Sequence, residues 1–325
     1  MTATTGFRLS PAGPGVTRIT LPLPWALDHV HCYAVEAAGG WTVVDGGLGG
    51  PGADALWREV LAALGDPPVR RIVITHYHPD HVGGTAALQR ASGAQEVVQG
   101  AHDRRLTELV WEGEPGAREF ADYLAGHGMP VELAAASAAA ELRLMVEPAV
   151  PTRTVTDGDV VEIGDSRHTV RLTPGHADGH IVLDAGRGRP LFGGDLLLGE
   201  ITPNVGRWPD TRADPLGRYL HSLEVLASMA PSTVLPGHGR PVTDVAGRIA
   251  EIRAHHEQRL DAHVAALERG ATTAYDVAQL VWAADGLGFH EQRFALVEAV
   301  SHLERLALLG RAERGGDGGW RPETV

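Results

Sequence analysis

Short apolar, β-branched runs alternate with stretches of helical spacing over most of this chain. Residues 16–20, 30–36 and 41–45 read as strands, with Gly39-Gly40 as the turn between the last two. Residues 51–64 put Leu56, Val60 and Leu64 on one helical face. A buried strand at 72–74, a helix at 82–91 and a strand at 96–98 follow. Residues 101–140 differ in character, being rich in Ala, Glu and Arg at helical spacing, with Trp111, Phe120, Tyr123 and Met129 among them. Strand patterning returns at 155–172, where Asp157-Gly158-Asp159 marks a turn. A helix at 215–229 repeats Leu216, Leu220, Leu223 and Leu226, and a last core strand falls at 233–235. The terminus, 1–15, is rich in Thr, Gly and Pro and reads as loose.

The final stretch reads as a unit of its own. Residues 244–269 predict a long amphipathic helix, 274–282 and 294–309 two more, and 311–322 a hairpin around Gly315-Gly316 and Gly318-Gly319. Leu296, Val300 and Leu303 make one apolar face of the last helix. His255, His256 and His263 have no carboxylate at metal spacing and read as solvated, and His102 and His127 as surface or capping groups. The expected division is therefore a catalytic domain at 1–243, with a helical insertion at about 101–150, and a C-terminal domain at 244–325.

Composition narrows the classes. With 325 residues the chain has ample length for a real core, and no apolar run is long enough for a membrane span. Met1 to Gly15 lacks the basic and apolar regions of a secretory signal, and a single cysteine, Cys32, excludes an intramolecular disulfide. A cytoplasmic location is expected. The net charge of −13 argues against general affinity for nucleic acid or anionic membranes.

The chemistry concentrates in Thr75-His76-Tyr77-His78-Pro79-Asp80-His81-Val82-Gly83-Gly84. Three imidazoles and one carboxylate within positions 76–81 are metal-site donors. His76 and His78 cannot share a helix face, so a tight turn must bring them together. His176, in Thr173-Pro174-Gly175-His176, Asp195, in Phe192-Gly193-Gly194-Asp195, and His238, in Pro236-Gly237-His238-Gly239, each follow an apolar run. That is where an α/β sheet presents its active-site edge. Ser166, Ser222 and the other serines lie in no nucleophile elbow, which excludes a serine hydrolase.

This ordered set resembles the His-x-His-x-Asp-His signature of the metallo-β-lactamase-fold hydrolases, and the absence of a cysteine ligand is closest to their glyoxalase II-like branch. The resemblance implies an α/β, four-layer αββα fold, and the three helices and hairpin at the end resemble the winged-helix appendage of one subgroup. It implies that one metal takes His76, His78 and His176, a second takes Asp80, His81 and His238, and Asp195 bridges them. Asp80 and Asp195 then belong to the catalytic machinery. Zinc is the first choice for the two divalent ions, and an all-N/O set also suits iron or manganese. Two such ions about 3.5 Å apart lower the pKa of a bridging water, giving a hydroxide that attacks a carbonyl carbon or a phosphorus. Asp45, in the loop Val43-Val44-Asp45-Gly46-Gly47, is expected behind the ligands, and Asp45 and Asp178 are the candidates to fix the imidazole tautomers.

The expected function is hydrolysis of a small thioester, ester or lactone. The walls, 106–123 and 196–208, contribute Trp111, Phe120, Leu198, Ile201 and Trp208, with the acids Glu108, Glu112 and Glu114, while Arg104, Arg105 and Arg207 are candidate anchors for one anion. A phosphodiesterase or ribonuclease of the same fold is the alternative, disfavoured by the acidic charge and the lack of a Lys/Arg-rich run. A non-enzymatic metal-binding regulator is a third reading. Redox use with a di-iron site and flavin ranks last, because no flavodoxin-like segment follows residue 245. From Thr272 onward, acids including Asp285 and Asp317 outnumber bases, so packing or homodimerisation is expected of the C-terminal unit and DNA binding is not. The expected partner is a small-molecule substrate, with no membrane association.

Overall fold

The computed structural model describes residues 6–112, 116–141, 146–282, 286–316 and 318–323. Glu114, Asp285 and Asp317 lie outside them, as does the side chain of Glu112.

The chain opens with β1 (Arg8–Gly13), β2 (Val16–Pro22), β3 (His29–Val35) and β4 (Trp41–Val44), an antiparallel meander. Much of the terminus expected to be loose is thus an edge strand, because β2 offers it a ladder from Arg8↔Thr20 to Gly13↔Val16. Helix α1 (Ala53–Ala63) carries the chain over to β5 (Val69–Ile74), which pairs parallel to β4. The helix expected at 82–91 forms as two pieces, α2 (Pro79–Val82) and α3 (Thr85–Ser92). Pro79 starts α2, where its missing N–H costs nothing, so Asp80 and His81 ride on a helical turn. β6 (Glu96–Gly100) and, after the insertion, β7 (Arg153–Val155) extend this seven-stranded sheet in parallel.

The insertion holds α4 (Ala101–Thr107), a π-helical turn at Glu108–Glu112, α5 (Ala117–Gly126) and α6 (Val131–Glu141). A second sheet runs in the order β12-β11-β10-β9-β8, from β8 (Val160–Ile163), β9 (Ser166–Leu172), β10 (Ile181–Asp184), β11 (Pro190–Gly194) and β12 (Thr233–Pro236). The parallel pair β11·β12 is connected through α7 (Pro215–Met229). Asp214 caps α7 by accepting from Gly217 N at 3.0 Å, and Pro215 fits its first turn.

Three apolar clusters define the layers. Tyr33, Val44, Val73 and Val98 of the first sheet meet Val161, Val170, Leu183 and Phe192 of the second. On the outer face of the first sheet, Ile72, Ile74 and Val97 pack with Trp57, Val60 and Leu88 of α1 and α3. On the outer face of the second, Val182, Leu191 and Val234 pack with Leu216, Leu223 and Leu226 of α7. Helices therefore flank two face-to-face sheets, the αββα layering expected from the sequence.

The C-terminal stretch joins the last of these clusters. It comprises α8 (Val245–Glu268), α9 (Ala274–Val281), α10 (Phe289–Leu308) and the hairpin β13 (Ala312–Arg314) and β14 (Trp320–Pro322). Ile252, Leu260, Leu296, Val300, Leu303 and Trp320 share one core with α7 and the second sheet. His256 and His263, expected in solvent, are fully buried. They lie on the inward stripe with Ile252 and Leu260, and α10 covers that stripe. Among the described residues no helix is long and apolar enough to cross a membrane.

Candidate metal centre

All seven residues predicted as ligands converge at one edge of the two sheets. His76 and His78 follow β5, Asp80 and His81 sit on α2, His176 follows β9, Asp195 follows β11 and His238 follows β12. Among these seven, three groups of donor atoms are close enough to hold an ion: His76, His78 and His176; His76, His81 and Asp195; and Asp80, His81 and His238. The Asp195 carboxylate lies 3.6 Å from His176 Nε2, 3.5 Å from His81 Nε2 and 3.2 Å from His238 Nε2. Asp80 Oδ2 lies 3.3 Å from His238 Nε2. The backbone at Gly237 must pass so close to Asp195 Oδ1 and the His81 ring that a Cβ there would collide with both.

The imidazoles are oriented from behind. His81 Nδ1 donates to Asp45 Oδ2 at 2.8 Å, His176 Nδ1 to Asn204 O at 2.8 Å and His238 Nδ1 to His29 O at 2.7 Å. Thr75 Oγ1 donates to Asp45 Oδ2 at 2.9 Å, which leaves it to accept from His76 Nδ1 at 3.0 Å. Each of the four rings therefore carries a proton on Nδ1 and turns its Nε2 inward. Among the described residues, buried His76 Nε2, His81 Nε2, His176 Nε2 and Asp195 Oδ1 have no hydrogen-bond partner. Buried polar atoms are almost always satisfied, so converging orphans of this kind fit a cation.

The charges agree with that reading. Burial and the neighbouring imidazoles push His76 and His78 well below the usual histidine pKa, keeping both neutral. Burial works against charge on His238 too, yet Asp195 and Asp80 lift it to about 10. Burial likewise opposes charge on His81, which Asp195, Asp45 and Asp80 hold well above its ordinary value. The carboxylates thus demand positive charge at the centre, which a proton or a metal ion satisfies.

Asp45 stands behind His81 as the sequence indicates. Asp178 does not orient an imidazole ligand; its carboxylate accepts from Arg212 N at 2.6 Å, because its loop turns toward residues 211–214. Arg207 is no free anchor either, since it is occupied by Glu304 at 3.1 Å and by the carbonyls of Trp208 and Thr211. Arg104 pairs with Glu108 at 2.9 Å. Leu198 is buried, so of the predicted wall it is Trp111, Trp208, Phe120 and Ile201 that reach the surface, and Trp111 Nε1 donates to Tyr77 O at 2.7 Å. Trp208 lies between Phe120, tilted against it at 5.9 Å, and Phe294 of α10, edge-on at 5.8 Å.

Several supporting residues were not singled out from sequence. Asp103, fully buried at the start of α4, accepts from Tyr77 N and from Gly179 N, both at 2.8 Å, and so ties the His76–His78 loop to the His176 loop. Burial raises its carboxyl to about 8 against the pull of those two amides. His180 accepts from Asp195 N at 3.1 Å and donates through Nδ1 to Thr173 Oγ1 at 2.9 Å. His31 donates to Gly239 O at 2.8 Å, and Tyr33 Oη to Pro236 O at 2.7 Å, which pins the His238 loop. The spacing His176-Ala177-Asp178-Gly179-His180 was a signal available for His180; nothing local marks Asp103.

Residues 25–238 match the family model described as metallo-beta-lactamase superfamily, and residues 260–324 the one described as metallo-beta-lactamase-like, C-terminal domain. The chain is 28% identical over 324 residues to probable metallo-hydrolase YqjP of Bacillus subtilis (strain 168), covering 95% of this chain and 96% of that relative. It is 24% identical over 296 residues to atrochrysone carboxyl ACP thioesterase of Aspergillus chevalieri, covering 85% and 78%. The crystal structure of a metallo-beta-lactamase family protein from Thermus thermophilus matches with a TM-score of 0.82 at 31% identity, covering 96% of this chain and 100% of that one. With the family model, the near full-length relatives and the inward-facing donors in agreement, the chain belongs to the metallo-β-lactamase superfamily.

Proposed function

We propose that this metallo-hydrolase works with two divalent metal ions on a small thioester, ester or lactone. The observation that carries the reading is the Asp195 carboxylate, placed within 3.6 Å of imidazole nitrogens from both halves of the donor set. His76, His78 and His176 would hold one ion, Asp80, His81 and His238 the other, with Asp195 shared. Zinc is the first candidate, and iron or manganese also suits these N/O donors. When bound, such ions act as Lewis acids and bring the pKa of water near neutrality.

The chain's own residues do the rest. Asp45, Thr75, Asn204 and the His29 carbonyl hold four imidazoles by Nδ1–H, so each would offer its Nε2 to an ion. Asp80 and Asp195 offset the added positive charge. Phe120, Trp208 and Phe294 form an aromatic group on the segments beside the centre, which suits an acyl chain or lactone ring better than a polyanion. The thioesterase relative supports the carbonyl side of the choice.

The cysteine-free ligand set supports membership of the glyoxalase II-like branch, and α8–α10 with the β13·β14 hairpin would make a winged-helix appendage. In this reading residues 1–243 are the catalytic domain, 244–325 the appendage, and the enzyme is cytoplasmic. The appendage's role is packing on the catalytic domain or pairing with a second chain, without DNA.

The test is a panel assay of zinc-, iron- and manganese-loaded full-length protein against small thioesters, esters, lactones, phosphodiesters and RNA. Turnover concentrated in the carbonyl substrates supports the proposal. Efficient cleavage of RNA or a phosphodiester with an inert carbonyl set rejects it.

A further inference from the structure

A second set of metal-type donors lies between α8 and α10, outside the centre already described. Ligand-type atoms of His256, Glu298 and His302 fall within 4.8 Å of one another. His256 and His302 are fully buried, and Glu298 is partly so. Glu298 and His302 are four residues apart on α10, hence on one face, and His256 meets them from α8.

The donors are pre-oriented. His302 Nδ1 donates to Glu298 O at 2.8 Å, which leaves its Nε2 to accept from His256 Nδ1. Glu298 Oε2 is held by Asn204 Nδ2 at 2.8 Å. The hydrogen bond between the two histidines holds His302 Nε2 and His256 Nδ1 3.3 Å apart, and an ion between them would take the place of the His256 Nδ1 proton. Two nitrogens each about 2.0–2.1 Å from a tetrahedral ion lie about 3.3–3.4 Å from one another, so the separation matches an edge of a coordination tetrahedron. Around them, His263 stacks on His302 at 4.7 Å and donates through Nδ1 to Arg259 O at 2.6 Å. Among the described residues His256 Nε2 and His263 Nε2, on the far sides of their rings from these contacts, have no hydrogen-bond partner. The Arg259 side chain turns to Val281 O and over the Trp282 ring. An apolar helix contact would be served better by leucines than by three imidazoles and a carboxylate.

We propose that His256, Glu298 and His302 form a separate site for one divalent transition-metal ion such as zinc. Two imidazoles and one carboxylate are the donors, with water completing the shell. An ion there staples α8 to α10. It also braces the catalytic centre from outside, since Asn204 binds Glu298 with its amide and His176 with its carbonyl. Neither the count nor the chemistry of the catalytic centre enters this argument.

The test strips the full-length chain of metal, dialyses it against zinc alone and measures zinc per folded chain by elemental analysis. Glu298→Gln is isosteric and still accepts from Asn204; His302→Gln and His256→Gln remove an imidazole each. Each variant that keeps the wild-type far-UV circular dichroism is expected to bind one zinc fewer than the wild type, whatever the wild-type total. Folded variants that retain the full wild-type zinc overturn the proposal. A measurement needing no variant is the anomalous difference map of wild-type crystals grown with zinc. A peak between His256 and His302 supports the site, and peaks confined to the Asp195 centre refute it.

Discussion

His81 Nδ1 donates to Asp45 Oδ2 at 2.8 Å across 36 residues of sequence, and neither side chain reaches solvent. The same carboxylate takes the Thr75 hydroxyl at 2.9 Å and the Thr75 amide at 2.8 Å, so one acid behind the centre fixes His81 directly and His76 through Thr75. Asp45 has a φ of 63°, a left-handed conformation that Asn tolerates and most residues do not.

Asp45→Asn therefore keeps the backbone while turning an amide N–H toward donors. His81 is then driven to carry its proton on Nε2, the atom that faces the centre. Metal affinity should fall about 10–100-fold, the usual cost of removing such a partner. Competition with a chelator of known affinity measures it. Unchanged affinity would mean that Asp45 serves the backbone alone.

Asp195→Asn removes one negative charge from between His81, His176 and His238 with little change of shape. Bound metal per chain should drop, and kcat should fall at least about a hundredfold. Elemental analysis beside steady-state kinetics reads both. Normal metal content with normal turnover would place the shared carboxylate elsewhere.

The sequence revealed the centre so readily because its donors are local punctuation. Each sits at the end of an apolar run, and a strand end is where a loop leaves the sheet. It revealed much less about what holds those loops together. Asp103 joins Tyr77 to Gly179 from a helix start that looks like any surface turn, and only the parallel crossover from β5 to β6 brings it there. His256 and His263 read as solvated because a helix pattern shows which residues share a stripe but not whether α10 will cover it. The terminal strand β1 was missed for a related reason, since its Pro and Gly hide a pairing that β2 supplies.

A pH dependence follows from His31. Burial lowers it from 6.5 to about 3, so it stays neutral in the fold while the unfolded chain takes up a proton near 6.5. The unfolded state binds more protons in that window, so this contribution to stability is complete above pH 6.5 and is lost as pH falls toward 3. His180, also lowered to about 3 by burial, acts in the same sense. Urea midpoints of the wild type and His31→Gln at pH 7.5, 6.5 and 5.5 should converge as the pH drops, because the variant lacks one of the groups that must stay neutral. A gap that widens toward acid pH would contradict the assignment.

The last prediction concerns Asp103, which touches no ligand side chain yet binds both loops that carry ligands. Its two oxygens satisfy the amides of Tyr77 and Gly179, and its burial leaves no water to replace them. Asp103→Leu should orphan both N–H groups at about 1–3 kcal/mol each. Asp103→Asn keeps one acceptor and sets its amide against the other N–H, so it should cost roughly half as much. The loops move relative to one another once the clamp is cut, because Tyr77 lies between His76 and His78 while Gly179 lies three residues beyond His176. Metal affinity should fall in the same order as stability, Leu more than Asn. A purely structural acid would lower the unfolding midpoint and leave affinity in the folded protein untouched. Denaturant unfolding of each variant, paired with metal competition at a temperature where all remain folded, separates the two roles. An Asp103→Leu protein that is destabilised but binds metal like the wild type would confine Asp103 to the scaffold.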